Sequence, residues 1–459
     1  MATARPTRKK GETVFVRSAA GGYLSVSFVA SFFSSMLAYL GYLEPAVVLV
    51  AIAWIIIPLL WITDKITFDG RRMRRTGLVP YLLARATGTR DRLKVSDIEQ
   101  VETVAFPGIK RGRNVYFTYR TVVVGKNVRF VFSSRHRGFG DVIKSLLPLI
   151  QEDSLDNSSI DLRDYFAEKR DSRQRARESD IPSSEVLDGS FRDIHVNSRP
   201  ENTTSDAVFD LEKANQLRRL GNELRMSGLL LQALEAFRRA AVLRPRDARL
   251  LFEFAECIRS VAGAESDEKL QRKARAMMRL AERHAGDDSR LLSRIGESYF
   301  QVGEWHRASL VFKRVIDAVG ENFRTLRGQA ELALREGKIA HVIHNFAAAE
   351  QHATTSSLKR WTQAEIDYFS HLNEDEDYME LEISRVNLLD TLNRTKRSSF
   401  RINMVGFLAI ALGLAIGDDL ITNIGWAVSG VSVLVWIVSV VMTRMLSPRI
   451  PFELMETEE

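Results

Sequence analysis

Four arginines, Arg71, Arg72, Arg74 and Arg75, stand close behind an apolar run that ends at Ile62. Residues 65–150 carry 18 Lys and Arg against 6 Asp and Glu, while the whole chain has a formal net charge of only +7. The basicity is therefore local. Guanidinium groups in this place have two chemistries open to them. They can bind anionic lipid headgroups, each contributing ~1 kcal/mol near a charged surface. They can equally be the positive flank of a membrane span on a solvated strand face. Nucleic acid fits poorly, because neither a groove-reading helix nor an aromatic-interleaved platform accompanies the charge.

Catalytic and metal chemistry lack the necessary residue sets. The eight histidines are scattered. His341, His344 and His352 can share one helix face, but no paired carboxylate or cysteine completes a metal site. Gly88-Thr89-Arg90 is no phosphate-cradling loop. Asn373–Asp377 lacks the spacing and glycine of a calcium loop and reads as the acidic first turn of a helix. Cys257 is the only cysteine, which rules out an intrachain disulfide and implies no oxidising compartment. No nucleophile, base and orienting group can be named together. The expectation is a non-enzymatic chain with no cofactor and no metal.

The elements that position the basic residues begin with four apolar runs. Tyr23–Tyr42 and Ala46–Ile62 form one pair, Phe400–Ile416 and Leu420–Met442 another. Each is long enough to cross a ~30 Å hydrocarbon layer as a helix, and each pair is joined by a turn. Lys and Arg flank the outer ends (Arg5, Arg8, Lys9, Lys10 and Arg17; Lys65 and the four arginines; Arg394, Lys396, Arg397 and Arg401; Arg444 and Arg449). The two connectors carry only Glu44, Asp418 and Asp419. That asymmetry places both termini and the whole middle in the cytoplasm. A cleaved leader is the poorer reading, since a second span follows at once. No ionisable residue lies well inside the runs, so they read as anchors and not as a transport path. Small residues at helical spacing (Ser27, Ser31 and Ser35; Ala409, Gly413 and Gly417; Gly425 and Ser429) permit close helix packing, within the chain or in a homo-oligomer.

After the first hairpin the pattern alternates. Ile66–Phe68 and Arg71–Arg75 flank the turn signal Asp69-Gly70. Leu93–Val101, Arg113–Tyr119, Arg120–Val124 and Val128–Phe132 follow as strands, and Phe139–Ile150 has helical periodicity. Short antiparallel strands closed by one helix resemble a pleckstrin-homology-like (PH-like) domain. Its place behind a membrane hairpin, with Val95–Val101, resembles bacterial membrane proteins that carry such domains, which implies a bacterial inner membrane. Residues 151–210 are polar, with 15 acidic against 8 basic residues, and are expected to be a mostly mobile linker that can lie on the basic domain. A short helix near Asp161–Arg177 is the exception.

From Ala214 to Asp247, Leu217, Leu220, Gly221, Leu224, Gly228, Ala233, Phe237, Ala240 and Pro245 fall in the spacing of a tetratricopeptide (TPR) repeat. The frame recurs at Ser289–Asn322 and Phe323–Ser356. In Ala248–Asp288 the second half is displaced by about seven residues, read as a longer turn at Ala264–Leu270. Four repeats and a capping helix at Leu358–Leu372 resemble a TPR solenoid. The resemblance implies a concave groove lined by Arg218, Asn222 and Arg225, Arg290 and Arg294, Arg324 and Arg327. It also implies a protein partner offering an acidic segment or a C-terminal carboxylate, since Arg suits carboxylates. Glu253 stands where the carboxylate-clamp subset of the family has Asn, and would repel such a ligand. The chain's own Glu453–Glu459 is another acidic candidate.

The expected organisation is a multidomain membrane protein: a basic N-terminus (1–22), transmembrane hairpin 1 (23–62), a PH-like domain (63–150), an acidic linker (151–210), a TPR solenoid (211–372), a juxtamembrane helix (373–399), transmembrane hairpin 2 (400–443) and a tail (444–459). The expected function is a membrane-anchored scaffold or adaptor that recruits a protein through the basic groove. The alternatives are a subunit of a membrane transport or envelope-biogenesis complex, and a sensor of anionic lipid through Arg71, Arg72, Arg74 and Arg75.

Overall fold

The computed structural model describes residues 13–18, 21–87, 91–111, 114–125, 128–167, 172–187, 204–265 and 267–446. They form two compact units, one of Thr63–Asp367 with the residues ahead of Ala20, the other of Ala20–Ile62 with Tyr368 onward.

A strand, β1 (Val14–Arg17), precedes the first apolar helix, α1 (Gly21–Tyr39). The second apolar run is α2 (Leu43–Ala51) and α3 (Ile57–Thr63), made continuous by a π-helical turn at Ile52–Ile56. β2 (Lys65–Phe68) follows and pairs antiparallel with β1, Arg17 opposite Lys65 and Val14 opposite Phe68. The first hairpin is thus an insertion between two neighbouring strands. Its base is tied by Ser18 N–H donating to the Asp64 carbonyl at 3.3 Å. The Arg75 guanidinium also donates to both oxygens of the fully buried Asp64 carboxylate, at 3.0 and 2.7 Å. The segment 1–22 is therefore more than a basic leader: Val14 and Val16 alternate inward too briefly to stand out as a strand.

β3 (Arg72–Thr76) pairs with β2 across the Asp69-Gly70 turn, whose Asp69 carboxylate accepts from the N–H groups of Arg71 and Arg72 at 2.8 and 2.6 Å. A helix, α4 (Leu78–Thr87), intervenes before β4 (Arg92–Lys94) completes a sheet in the order β1-β2-β3-β4. β5 (Ile98–Arg111), β6 (Asn114–Gly125) and β7 (Val128–Ser133) make a second antiparallel sheet. The two strands expected at 113–124 are one, and the stretch expected to be extended from Leu93 to Val101 breaks at a 3-10 turn, Val95–Asp97. α5 (Phe139–Leu146) lays Phe139, Val142, Ile143 and Leu146 over Phe68, Met73, Val101, Val123 and Phe132. It ends in a 3-10 turn at Leu147–Leu149, where Pro148 lacks the N–H an α-helix needs.

The linker expectation is corrected over its first part. α6 (Asn157–Ala167), α7 (Ser172–Glu178) and α8 (Ser184–Leu187) are ordered helices. Leu155, Ile160 and Leu162 of this segment are buried in the core of the β domain, and that burial offsets the ordering entropy that the polar composition by itself does not. Residues 188–203 lie outside the described residues.

Helix pairs follow: α9 (Thr204–Met226) with α10 (Leu230–Leu243), α11 (Ala248–Glu265) with α12 (Glu268–His284), α13 (Ser289–Gln301) with α14 (Trp305–Val319), and α15 (Phe323–Arg335) with α16 (Ile339–Gln351). Small residues let paired helices touch. A Cβ on Gly296 would lie 2.5 Å from the Phe312 ring. The displacement in the second pair is taken up by helix and not by a longer turn: α11 runs 18 residues where α13 and α15 run 13, and Asp267 caps α12 directly.

α17 (Ser356–Glu374) leads to α18 (Glu376–Ile416) and α19 (Asp419–Leu446). α18 is one helix of 41 residues, so the expected juxtamembrane helix and third span are continuous. Asp418 caps α19 by accepting from Leu420 and Ile421 N–H at 2.8 and 3.2 Å. Four helices, Gly21–Tyr39, Leu43–Thr63, Glu376–Ile416 and Asp419–Thr443, are long and apolar enough to cross a membrane. Several of their small residues are used in packing within the chain. Ser27 and Ser34 hydroxyls donate to the carbonyls of Ala53 and Ala46 at 2.9 and 2.7 Å. Gly413 meets Thr422, and Gly425 meets Ile410. The two hairpins join through Phe32 against Phe407 and Trp426, and through the Tyr39 hydroxyl donating to Asn423 Oδ1 at 3.0 Å.

A Cβ on Gly413 would lie 2.4 Å from Thr422 Oγ1 and 2.6 Å from its backbone N, whereas one on Gly430 meets nothing within 4 Å. Gly413→Ala should therefore destabilise the detergent-purified protein by ~1–3 kcal/mol through overpacking. Gly430→Ala should be near neutral, as thermal denaturation of the two variants side by side will show.

Candidate functional site

The first helices of the first, third and fourth repeats, α9, α13 and α15, carry the arginines expected to hold an acidic partner, and the structure gives each an acidic neighbour from this same chain. The centre is Asp161 on α6. Its Oδ2 accepts from Arg225 Nη2 at 2.7 Å and its Oδ1 from Arg294 Nη2 at 2.8 Å. Burial makes the Asp161 charge costly, but the two guanidinium groups outweigh it and hold the carboxyl below its usual range. The Arg294 guanidinium also lies over the Phe252 ring, 5.3 Å from its centroid.

One turn earlier, Asn157 closes the contact with both ends of its amide. Nδ2 donates to the Arg294 carbonyl at 3.1 Å, and Oδ1 accepts from Arg294 Nε at 3.2 Å and Arg324 Nη2 at 3.0 Å. Arg324 is shared with Glu297, whose Oε2 accepts from its Nε at 3.0 Å. At the edge, Glu152 meets Arg290 at 3.2 Å. α6 is fixed from its other side by β5: Asp156 accepts from Thr103 and Ser159 N–H at 3.2 and 2.9 Å, and the Ser159 hydroxyl bonds that of Thr103 at 2.8 Å. The same helix is thus a part of the β domain and the occupant of the groove. A small cavity of about 80 Å³ beside it is lined by Tyr119, Arg225, Glu256 and Arg294, room for a water or two.

The remaining candidates serve the solenoid itself. Arg218 forks onto Glu253 at 2.6 and 2.8 Å, and Asn222 donates to the same carboxylate. Glu253, which departs from the carboxylate-clamp pattern, is thus the internal partner of Arg218 and Asn222, two of the four residues (with Arg290 and Arg294) that fit it by type. Arg327 bonds Glu331 at 2.7 Å and lies 5.4 Å over the Trp361 ring. Only Arg290 keeps an open side chain, 81% exposed, against 12% for Arg218, 10% for Arg225, 11% for Arg294, 15% for Arg324 and 21% for Arg327.

Sequence reasoning placed these arginines on the first helices of their repeats and missed α6 as the neighbour of Arg225 and Arg294. The available signals were the acidic excess of 151–210 and the short helix expected near Asp161. Both pointed to the linker, and the linker was expected to lie on the basic domain before it. Glu453–Glu459, the other acidic candidate, lies outside the described residues.

The four arginines behind the first hairpin do not make one headgroup site. Arg75 holds Asp64, and Arg74 meets Asp91 at 3.2 Å. Arg71 and Arg72 sit at the Asp69-Gly70 turn, at the opposite end of β2 and β3 from Thr63. Among the described residues no three His, Cys, Asp or Glu side chains group as a metal site. Burial pushes the Cys257 thiol up to about 12, which keeps it from acting as a thiolate.

No protein-family model matches this chain, and no curated protein matches it. Among solved structures it is similar to TTC0263, a thermophilic TPR protein in Thermus thermophilus, at 18% identity and TM-score 0.29, over 35% of this chain and 86% of that one. It is also similar to the APC/C hetero-tetramer Cut9-Hcn1, at 14% identity and TM-score 0.28, over 65% of this chain and 66% of that one. Scores this low add nothing to what the four helix pairs themselves establish. The solenoid is a TPR-like helical repeat.

Two measurements check this site. Arg294→Ala leaves a half-buried carboxylate short of one charged donor and should cost ~1.5–3 kcal/mol. Arg290→Ala removes an exposed pair and should cost ~1 kcal/mol or less, so urea unfolding of the full chain should separate them. The second concerns pH. Desolvation raises Glu102, beside Gln100 and Arg327, to about 8 and Asp156 to about 7. Unfolded carboxyls ionise near pH ~4, so between there and pH 8 the folded state binds more protons and stability falls as pH rises. Glu102→Gln should flatten that slope, and an unchanged slope would count against a protonated Glu102.

Proposed function

We propose that this chain is a non-enzymatic scaffold, anchored in a bacterial inner membrane by two helical hairpins, that presents a PH-like domain and a TPR-like solenoid to a cytoplasmic protein partner. The orientation is supported by Arg17 and Lys65 at the ends of the first hairpin and by the acidic connectors Glu44, Asp418 and Asp419. Pairing of β1 with β2 supports it independently, since it brings both ends of that hairpin to one place. The two sheets of four and three strands closed by α5 support the PH-like reading.

The single observation that carries the scaffold reading is Asp161 between Arg225 and Arg294. The groove has the chemistry of a receptor for an acidic helix, and it exercises that chemistry on α6. Ile160 and Leu162 of the same helix are buried in the β domain, so withdrawing α6 would open that core as well. The occupant is permanent, and an external acidic partner is left with the groove's edge, where Arg290 and Arg249 are open at 81% and 58%. The same occupancy favours one second reading. With the groove filled, the principal protein contacts can be made by the spans, and the chain is then a subunit of a transport or envelope-biogenesis complex.

Photo-crosslinking residues at Arg290 and at Phe28, which is 64% exposed on α1, separate the two in native membranes. Protein adducts from position 290 are the expected result. Adducts from position 28 alone would replace the scaffold with the subunit, and none from either would sink both.

A further inference from the structure

α4 was not legible as an element in the sequence, and the function above makes no use of it. It is a ten-residue helix inserted between β3 and β4. Leu78, Tyr81 and Leu82 are 56%, 57% and 54% exposed, and Arg85 is exposed with them. The spacing i, i+3, i+4, i+7 puts the four on one helix face. The opposite side carries Pro80, which is buried, and half-buried Val79. The helix thus leaves an apolar face uncovered in addition to the apolar side it buries.

Its position says what covers that face. Thr63 is the last residue of the second apolar run. Thr76, the last residue of β3, lies opposite Lys65 in the ladder and donates its hydroxyl to the Lys65 carbonyl at 3.1 Å. Gly77 then packs so closely on that point that a Cβ there would lie 3.0 Å from Asp64 Cα and 3.2 Å from the Thr63 carbonyl. α4 starts at the next residue. Its first turn is therefore at the depth where the span leaves the hydrocarbon. The charges at that level, Arg17 and Lys65, face each other in the same strand row. Tyrosine on the uncovered face and arginine at the helix end are the residue types that settle at a membrane interface, ring at the headgroup level and guanidinium reaching outward.

We infer that α4 is an interfacial helix, its Leu78–Tyr81–Leu82 face seated in the headgroup and upper acyl region of the bilayer, so that the β domain touches lipid directly at the foot of the first hairpin. The inference rests on the membrane-anchored reading above. It differs from headgroup recognition by the Arg71–Arg75 cluster, because the contact is apolar and its basic component is Arg85 with Arg17 and Lys65.

The test uses the full chain with Cys257→Ala, reconstituted in phosphatidylcholine–phosphatidylglycerol vesicles and spin-labelled at one position at a time. The positions are Leu78→Cys, Leu82→Cys, Leu434→Cys in α19 and Arg272→Cys on the solenoid. Power saturation with oxygen and with a water-soluble nickel chelate reads the surroundings of each label. The expected result is an oxygen-to-nickel accessibility ratio at 78 and 82 several-fold above that at 272. Ratios at 78 and 82 equal to that at 272, with 434 still lipid-exposed, overturn the interfacial helix alone. A water-like ratio at 434 as well overturns the anchoring on which it rests. Labels at 78 and 82 that neither reagent reaches identify a protein cover, such as a second copy, and also overturn it. Two separate label sites keep the result readable if one substitution disturbs α4.

Discussion

A half-buried carboxylate does not stand between two guanidinium groups unless all three are held, and Asp161 between Arg225 and Arg294 makes that demand on three elements at once. α6 must be docked on β5, and α9 and α13, two helices that belong to different repeats, must keep their spacing. Removing any one group leaves charge short of a partner in a half-buried place where water compensates only in part. The clamp is thus a poor source of net stability and a strong source of specificity: it admits one placement of α6 along the groove and penalises its neighbours. Asn157 repeats the demand one turn away on Arg294 and Arg324.

This arrangement changes what the groove arginines mean. An arginine-lined solenoid with nothing in it is a receptor awaiting a ligand. Here six of the seven candidate side chains are turned inward to partners within the chain, and Glu253, whose carboxylate looked like a flaw in a ligand clamp, is the acceptor that Arg218 and Asn222 need. The β domain and the solenoid consequently behave as one folded body over Thr63–Asp367. Tyr119 donating to the Met226 carbonyl, and Val115 N–H donating to that of Gly228, add to the same seam.

Much of this was readable in the residues. The four apolar runs, the Asp69-Gly70 hairpin, the helical period of Phe139–Ile150 and the large–small alternation from Leu217 to Ala240 each follow a local rule and formed helix or turn there. The exceptions are that the α-helix stops at Leu146 before Pro148 and that the third run is the end of a longer helix. What was not readable depended on partners far along the chain. Val14–Arg17 is too short to declare itself a strand without Lys65–Phe68 beside it. Leu155, Ile160 and Leu162 look isolated in a polar stretch, because the surface that buries them is built by β5 and by other elements distant in the chain. The arginines were found by type and position. Their occupant was not, because a sequence shows that a segment is acidic long before it shows which of two basic surfaces it will meet.

The pairing of β1 with β2 also sets an order of events. The first strand leaves the ribosome well before its partner, and between them lies a hairpin that, on the proposed membrane-anchored reading, crosses a membrane and comes back. If such a hairpin made one crossing instead of two, β1 and β2 would end on opposite sides and Ser18 would never meet the Asp64 carbonyl. The β domain then lacks its edge strand, and with it the Val16 contribution to its core. On that reading, completion of the small sheet would record that the hairpin went in and returned, and one pair of strands would tie the fold of the β domain to the topology of its anchor.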